Sequence, residues 1–305
     1  MKRRWIGAGL SIGLLCAMLC GCATTSQKPG TMDEASQSTG VRRVDRGTFP
    51  FMGERLTFDV RHVATKSSVA DAVAQVGYES AMADGTRYIP IWGTASSKSI
   101  VRLFARIDDR AEVYIDPSTW ESVYSYKHLN ENDRDREYAV WFWPEDLQAS
   151  VERTQKGRVV KRDYSVPNGS MDTVAWVFLV RTFDLQKDRE YTWYTFDGWT
   201  INRITLKVGG VEDVWTPGGF YAARKFEIWR ERSDAITPHG ALSGVYIDPE
   251  RHVTVDTYHL ATGWLAEAPG HVPVRLVIQT GIGEFDLILK SVEHVDKEAL
   301  AALQE

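Results

Sequence analysis

Cysteine is nearly missing from this 305-residue chain, and its three copies, Cys16, Cys20 and Cys22, crowd into the first 22 positions. The remaining sequence has no thiol, which excludes a disulfide, a thiolate metal site and a cysteine nucleophile there. An excess of basic charge is also missing. The formal net charge is −5, and without the first 21 residues, which hold Lys2, Arg3, Arg4 and no acid, 33 basic residues face 41 acidic ones, a net −8. Such a balance excludes a protein that displaces phosphate counterions over a broad basic face, so no nucleic acid is expected as partner.

Several catalytic patterns are lacking. None of the seven histidines forms His-Glu-x-x-His, and the best cluster is His252-x-x-x-Asp256-x-x-His259. On a strand His252 and Asp256 share a face while His259 points to the other, so the set does not converge on a metal. Gly240-Ala-Leu-Ser-Gly244 is not Gly-x-Ser-x-Gly, and Gly281-Ile-Gly283 lacks the rest of a phosphate loop. Asp116-Pro117 and the run Asn130–Glu137 offer oxygen ligands without the EF-hand spacing. The carboxylate pairs Asp108-Asp109 and Glu145-Asp146 are adjacent in sequence, which on a strand sends the two groups to opposite faces, and turn placement is the simpler reading. No catalytic residue, metal site or cofactor is therefore expected. No repeat of fixed period is present.

What is there begins with the N-terminus. Lys2-Arg3-Arg4, the apolar stretch Ile6–Leu19 and Leu19-Cys20-Gly21-Cys22 resemble the lipobox of bacterial lipoproteins. That resemblance implies cleavage after Gly21, acylation of Cys22 and, with Ala23 following, sorting to the outer membrane with the domain facing the periplasm. Residues 1–21 are read as signal peptide and 22–47, rich in Ser, Thr, Gln and Gly, as a lipidated cysteine with its tether. Residues 48–305 are read as a single domain.

Within that domain one stretch, Ser170–Leu185, is apolar on every side and predicts a long buried helix. Ser170 is placed to cap it, Asp172 suits its positive end and Arg181 its negative end. Nearly everything else alternates with period two between turn signals. Leu56, Phe58 and Val60 share a face, Ser99–Ile107 and Ala111–Ile115 read as strands joined through Asp108-Asp109-Arg110, and Asn130–Glu137 reads as a solvated hairpin tip. Ser68–Ala83 fits helix or strand. Lys156-Gly157 and Asp197-Gly198 mark hairpins, the second as a two-residue turn. A short polar helix is expected over Asp296–Gln304. The fold class is mainly β (α+β): a curved antiparallel sheet or half-barrel packed on one long buried helix.

The aromatic load is heavy, with 11 Trp, 12 Tyr and 11 Phe. Tyr124 and Tyr126 share a strand face, as do Trp141 and Trp143, and Trp193 can join Tyr191. With Phe178 of the helix these residues are the candidates for an apolar or lipid-like ligand site; cross-strand core packing is the alternative, and an exposed surface for sugar rings a third.

Phe49–Phe58, Asp108–Pro117, Tyr126–Glu131, Asp172–Leu185, Thr216–Phe220 with Lys225 and Glu227, and Val272-Pro-Val274 together resemble the DUF3108 family of Gram-negative envelope proteins, in the same order over about residues 48–292. That resemblance implies a secreted β-rich domain similar to lipoprotein-carrier folds and brings no catalytic residues with it. The resulting expectation is a noncatalytic, lipid-anchored envelope protein, held to the membrane through Cys22, that binds an apolar ligand or an envelope protein. A cell-wall glycan-binding or glycan-cleaving module is the alternative.

Overall fold

The computed structural model describes residues 47–99, 101–103, 106–132, 134–198, 200–233, 254–268, 270–280 and 283–302. The chain first lays down β1 (Glu54–His62), β2 (Ser68–Val76), a short β3 (Ser80–Ala81), β4 (Arg87–Ser97), β5 (Asp108–Ile115), β6 (Ser122–Glu131), β7 (Arg134–Trp143), β8 (Gln148–Gln155) and β9 (Arg158–Ser165). Helix α1 (Thr173–Val180) follows, then β10 (Glu190–Phe196), β11 (Ile201–Thr216), β12 (Gly219–Ser233), β13 (Thr254–Ala266), β14 (Pro273–Thr280), β15 (Gly283–His294) and α2 (Lys297–Ala302).

Among the described residues these strands make one 15-stranded sheet with the order β10-β11-β12-β13-β14-β15-β1-β2-β4-β5-β6-β7-β8-β9, β3 hanging on β4. It consists of two antiparallel meanders joined where β15 pairs with β1. Topology then explains the helix. The chain leaves β9 at one end of the sheet and must enter β10 at the other, so the connection crosses the concave side. A segment with Ala175, Trp176, Phe178, Leu179 and Val180 all buried is what that crossing requires. Just before α1, Met171 bridges Thr195 in parallel, and its carbonyl accepts from Phe196 N at 2.9 Å, which ties the connection to the β10 edge.

The curved antiparallel sheet on a buried helix is as the sequence predicts, but the helix is shorter than Ser170–Leu185. Asp172, not Ser170, is the cap: its backbone is extended and its Oδ1 accepts from Val174 N at 2.9 Å, while Ser170 Oγ donates to Pro167 O at 2.6 Å. Past Val180 the amides of Arg181, Thr182 and Phe183 bond carbonyls three residues back, so the end tightens into turns.

Other expectations also change. Ser99–Ile107 is not a strand; among its described residues Val101–Leu103 is a 3-10 turn. Asp108-Asp109-Arg110 belongs to β5 instead of a turn, because it continues the ladder with Ser96, Ala95 and Thr94 of β4. The charged run Asn130–Glu137 is mostly strand, with Glu131 opposite Arg134 at the end of the β6–β7 ladder. Phe196 pairs with Ile201, which makes 197–200 a four-residue loop rather than a two-residue turn, and Asp197 Oδ1 accepts from Thr200 N at 2.7 Å to close it. Of Ser68–Ala83, Ser68–Val76 resolves to strand, because β2 is sandwiched between β1 and β4, and Ser80–Ala81 forms the short β3. His252, Gly240–Gly244 and Gly281-Ile282 lie outside the described residues.

At Gly209-Gly210 a register shift between Val208 and Val211 bends the β11–β12 hairpin. The distal half of that hairpin then covers a second small core, where Val214 and Ala223 meet Leu56, Trp264, Val274 and Leu289. The main core lies between α1 and the inner faces of both meanders.

Candidate functional site

Alternation along β4 to β9 sorts the side chains into two faces. Ile91, Val113, Ser125, Val140 and Val151 point inward and are buried or nearly so, while Trp92, Tyr114, Tyr124 and Trp141 point outward. The candidate ligand residues divide between these faces. Phe178 is buried on the inner side against Phe49 and Phe51, with centroids 6.5 and 6.0 Å away. Trp193 is buried there too, 5.9 Å from Trp176 and 5.5 Å from Phe183. Tyr124, Tyr126, Trp141 and Trp143 are on the outer side, so the six residues do not form one site. Cys22 lies outside the described residues.

The inner side is closed by packing. Phe49 meets Phe51 and Trp120 edge-on at 5.3 and 5.4 Å, and Arg181 stacks on Phe51 at 3.9 Å. Near the start of α1 the interior turns polar. Lys127 Nζ lies 2.7 Å from Asp172 Oδ2 with both side chains fully buried, and Asp172 N donates to Ser122 Oγ at 2.9 Å. The cap of the helix is thus also an anchor to β6. Four residues along β6, Glu131 takes Arg136 at 3.0 Å, and its charge bears on Asp109 of β5. Asp109 Oδ1 accepts from Asn130 N at 3.0 Å. Burial first, then the Glu131 charge, push Asp109 up to about 7, so this acid is half-protonated near neutrality. Sequence reasoning read Asp109 as part of a turn and did not single out Lys127. The signal was available in the polar alternation Ser125-x-Lys127-x-Leu129-x-Glu131, which marks a face that needs internal partners if it is buried.

On the outer side the rings form a ladder across four strands. Tyr88 stacks on Tyr114 at 4.3 Å, Tyr114 meets Tyr124 at 5.4 Å, and Tyr124 meets Trp141 at 5.4 Å. Register explains the last two contacts, since Tyr114 opposes Tyr124 and Tyr124 opposes Trp141. Glu112 runs beside the ladder, accepting from Trp92 Nε1 at 2.6 Å, and burial followed by the Glu112 charge raises Tyr114 to about 12. The ladder ends in the open: Trp141 is 38% and Trp143 51% exposed. Beside Trp141 a groove of about 360 Å³ runs between Ser150, Glu152, Lys161 and Asp163. β9, which forms one wall of this groove, is the last strand of the sheet, and among the described residues no strand pairs with its far side.

The described residues contain no group of three or more His, Cys, Asp or Glu able to hold a metal. His259 makes ordinary strand contacts, its ring 5.3 Å from Trp229 and its Nε2 3.1 Å from Thr262 Oγ1. Asp116 accepts from the amides of Ser118 and Thr119 at 2.7 and 2.9 Å, the chemistry of a turn.

None of the curated proteins matches the chain. Among solved structures it is similar to a β-barrel-like protein of domain DUF1849 from Brucella abortus, at 10% identity over 81% of this chain and 99% of that one, with a TM-score of 0.49. It is also similar to a candidate lipoprotein from Parabacteroides distasonis, at 10% identity over 85% of this chain and all of that one, with a TM-score of 0.29. A candidate exported protein with a YmcC-like fold from Bacteroides fragilis aligns at 11% identity over 81% of this chain and 99% of that one, with a TM-score of 0.28. A family model matches residues 57–290, from within β1 to within β15 and hence both meanders and the helix between them, and the chain belongs to that family, described as protein of unknown function (DUF3108).

Proposed function

We propose that this protein is a noncatalytic, lipid-anchored component of the cell envelope that docks an envelope protein on the outer face of β7–β9. The observation that carries the reading is the coincidence of an exposed aromatic pair, Trp141 and Trp143, with the open edge of β9. An open edge offers main-chain donors and acceptors to a strand of another chain, and flanking aromatic side chains supply the buried anchors such interfaces need. Val159, 49% exposed on the same face of β9, extends the apolar patch. A lipid held inside the fold is less well supported, because α1 and the Phe49–Phe51 segment fill the main core.

A second reading follows from the ladder itself. Rings flanked by the carboxylates Glu112, Glu152 and Asp163 suit stacking and hydrogen bonding to a sugar chain of the cell wall. The test uses the full-length protein in its native membranes with a photo-crosslinking amino acid at position 159. Protein docking predicts one protein adduct that disappears in Trp141→Ala/Trp143→Ala, with the thermal midpoint nearly unchanged. Adducts confined to glycan would replace the reading with the second one, and adducts insensitive to the tryptophan substitutions would sink both.

A further inference from the structure

The tip of the β11–β12 hairpin carries the two most exposed large apolar side chains among the described residues, Trp215 at 59% and Phe220 at 77%. They oppose each other directly, one step before the turn at Pro217-Gly218. Alternation sends them outward. Val214 and Ala223 turn into the second small core, so Val211, Asp213, Trp215, Phe220 and Ala222 point the other way, and all five are exposed. Neither ring takes part in that core.

The chemistry of the tip is as distinctive as its exposure. Residues 214–223 contain no charged side chain. The polar groups of the turn are met from within it: Gly218 N donates to Thr216 Oγ1 at 3.1 Å, Thr216 Oγ1 donates to Gly219 O at 3.3 Å, and Tyr221 Oη donates to Gly218 O at 3.1 Å. Pro217 brings no N–H. Backbone that satisfies its own donors and acceptors can leave water at little cost, which is what a lipid phase demands. Charge returns just behind the rings. Asp213 stands two residues, about 7 Å, behind Trp215, and Arg224 is clasped to Glu267 at 2.9 and 3.0 Å. A tip of that depth fits the boundary between headgroups and acyl chains, about 5–10 Å deep, with the carboxylate left in water.

We propose that the Trp215–Phe220 tip inserts into the interfacial layer of a phospholipid bilayer and fixes the orientation of the domain on the membrane. The placement of the chain's N-terminal side favours a bilayer over a protein partner. Gly218 leans on β15, where a Cβ would lie 3.1 Å from Lys290 O, and four residues along β15, about 13 Å away, His294 pairs with Glu54 at the start of β1. The tip therefore sits near the end of the sheet at which the chain arrives from Cys22. A protein interface also uses a polar rim, and residues 214–223 offer it no charge. Resting on the acylation of Cys22 proposed above, the contact becomes intramolecular once the anchor is in place, so two rings suffice to hold it. Indole and phenyl groups at the headgroup level are the side chains suited to that position.

The test uses the acylated full chain reconstituted into vesicles of phosphatidylethanolamine and phosphatidylglycerol. The chain has no cysteine after Cys22, so Phe220→Cys supplies a single thiol for a nitrobenzoxadiazole label, and Lys161→Cys on β9 supplies the reference. If the first variant loses its cooperative thermal transition, Ala222→Cys takes its place, since that side chain is exposed on the same face. Nitroxide carried on the lipid acyl chains should quench the label at 220 at least twofold more than the label at 161, and Trp215→Gln should reduce that difference by half or more. Co-flotation with the vesicles reports the anchor separately. Protein that floats with equal quenching at the two positions overturns the insertion and leaves the anchor standing. A label at 220 shielded from aqueous iodide but not quenched from the acyl chains overturns it too, and assigns the tip to a contact between copies of the chain. Protein that does not float removes the anchor and the insertion together.

Discussion

Arg181 grips Glu54 with both prongs of its guanidinium, Nη1 to Oε1 at 2.5 Å and Nη2 to Oε2 at 2.8 Å, although the two residues lie 127 positions apart. Arg181 caps the C-terminal end of α1 and Glu54 opens β1, so the pair fastens the helix to the strand that joins the two meanders. The same guanidinium donates to the carbonyls of Gly270 and His271 and stacks on Phe51 and Phe178. A charge this deep is tolerated because its donors are engaged by one carboxylate and two carbonyls.

Removing that charge leaves Glu54 facing apolar rings and two carbonyls without donors. Arg181→Met should cost about 3–5 kcal/mol. Adding Glu54→Gln to it should cost less than the two single changes summed, because the second substitution removes the stranded carboxylate. Urea denaturation of the three variants measures this, and strict additivity would show that the pair is not coupled.

The helix itself is the second test. Phe178 sits between α1 and the Phe49–Phe51 segment, so Phe178→Ala should cost about 3–5 kcal/mol through lost transfer energy and the cavity left behind. Lys187 is exposed, and Lys187→Ala should be nearly neutral. Equal denaturation midpoints for the two variants would contradict the placement of the helix.

Asp109 makes stability depend on pH in the direction opposite to an ordinary ion-paired acid. Its pKa in the folded chain is about 7, above the ordinary 3.8, so the folded state holds a proton that the unfolded state releases. Stability from this group is full below about pH 4 and is lost as pH rises through 7. Asp109→Asn mimics the protonated acid. It should leave stability at pH 4 nearly unchanged and raise it at pH 8 by on the order of 2–4 kcal/mol. A variant less stable than the parent at pH 8 would refute the assignment.

Asp59 works the other way. Burial pushes its pKa up, but bonds from Ser68, Arg61 and Lys98 together outweigh burial and hold it at about 2. Its contribution is present above pH 4 and fades as pH falls toward 2. Asp59→Asn should therefore lower the thermal midpoint at pH 7 and have little effect at pH 2. The reverse pattern would show that burial dominates.

Acylation at Cys22 is tested by mass. Cys22→Ala should abolish partitioning into membranes while leaving the cooperative unfolding transition in place, since the substitution precedes the first strand by more than 30 positions. Intact-mass measurement of the native protein should show a mature N-terminus at Cys22 carrying acyl chains. Any other N-terminus, or a mass without lipid, removes the anchor from the proposal.

Much of this fold could be read from local pattern. Leu56-x-Phe58-x-Val60, Lys156-Gly157 and Gly209-Gly210 act through backbone geometry and period-two alternation, and each appears in the structure as strand, hairpin or bend. Antiparallel pairing followed from those short-range signals, as did the presence of a buried helix after β9. The helix ends were legible only in part, because Ser170 and Asp172 are both good caps by type. The choice fell to Asp172, which also meets the buried Lys127.

The face of each strand that lies inside was not legible, and that decided the candidate site. Alternation shows that Tyr124 and Tyr126 share one face and Ser125 and Lys127 the other, and hydrophobicity alone would bury the tyrosines. The structure buries the lysine instead, because the N-terminal end of α1 brings the Asp172 carboxylate to it at 2.7 Å. Residue order alone thus determined most of the strands, the Lys156-Gly157 hairpin, the buried apolar helix after β9 and the confinement of cysteine to the first 22 positions. Only tertiary structure decided that Phe178 and Trp193 belong to the core while Trp141 and Trp143 face outward, and that Asp109 and Glu131 lie close enough to hold a proton near neutrality. The physical reason is that burial and charge coupling are set by contacts between segments far apart in the chain, as where Glu54 pairs with His294 and Arg181 meets Glu54, whereas periodicity carries information only along a segment.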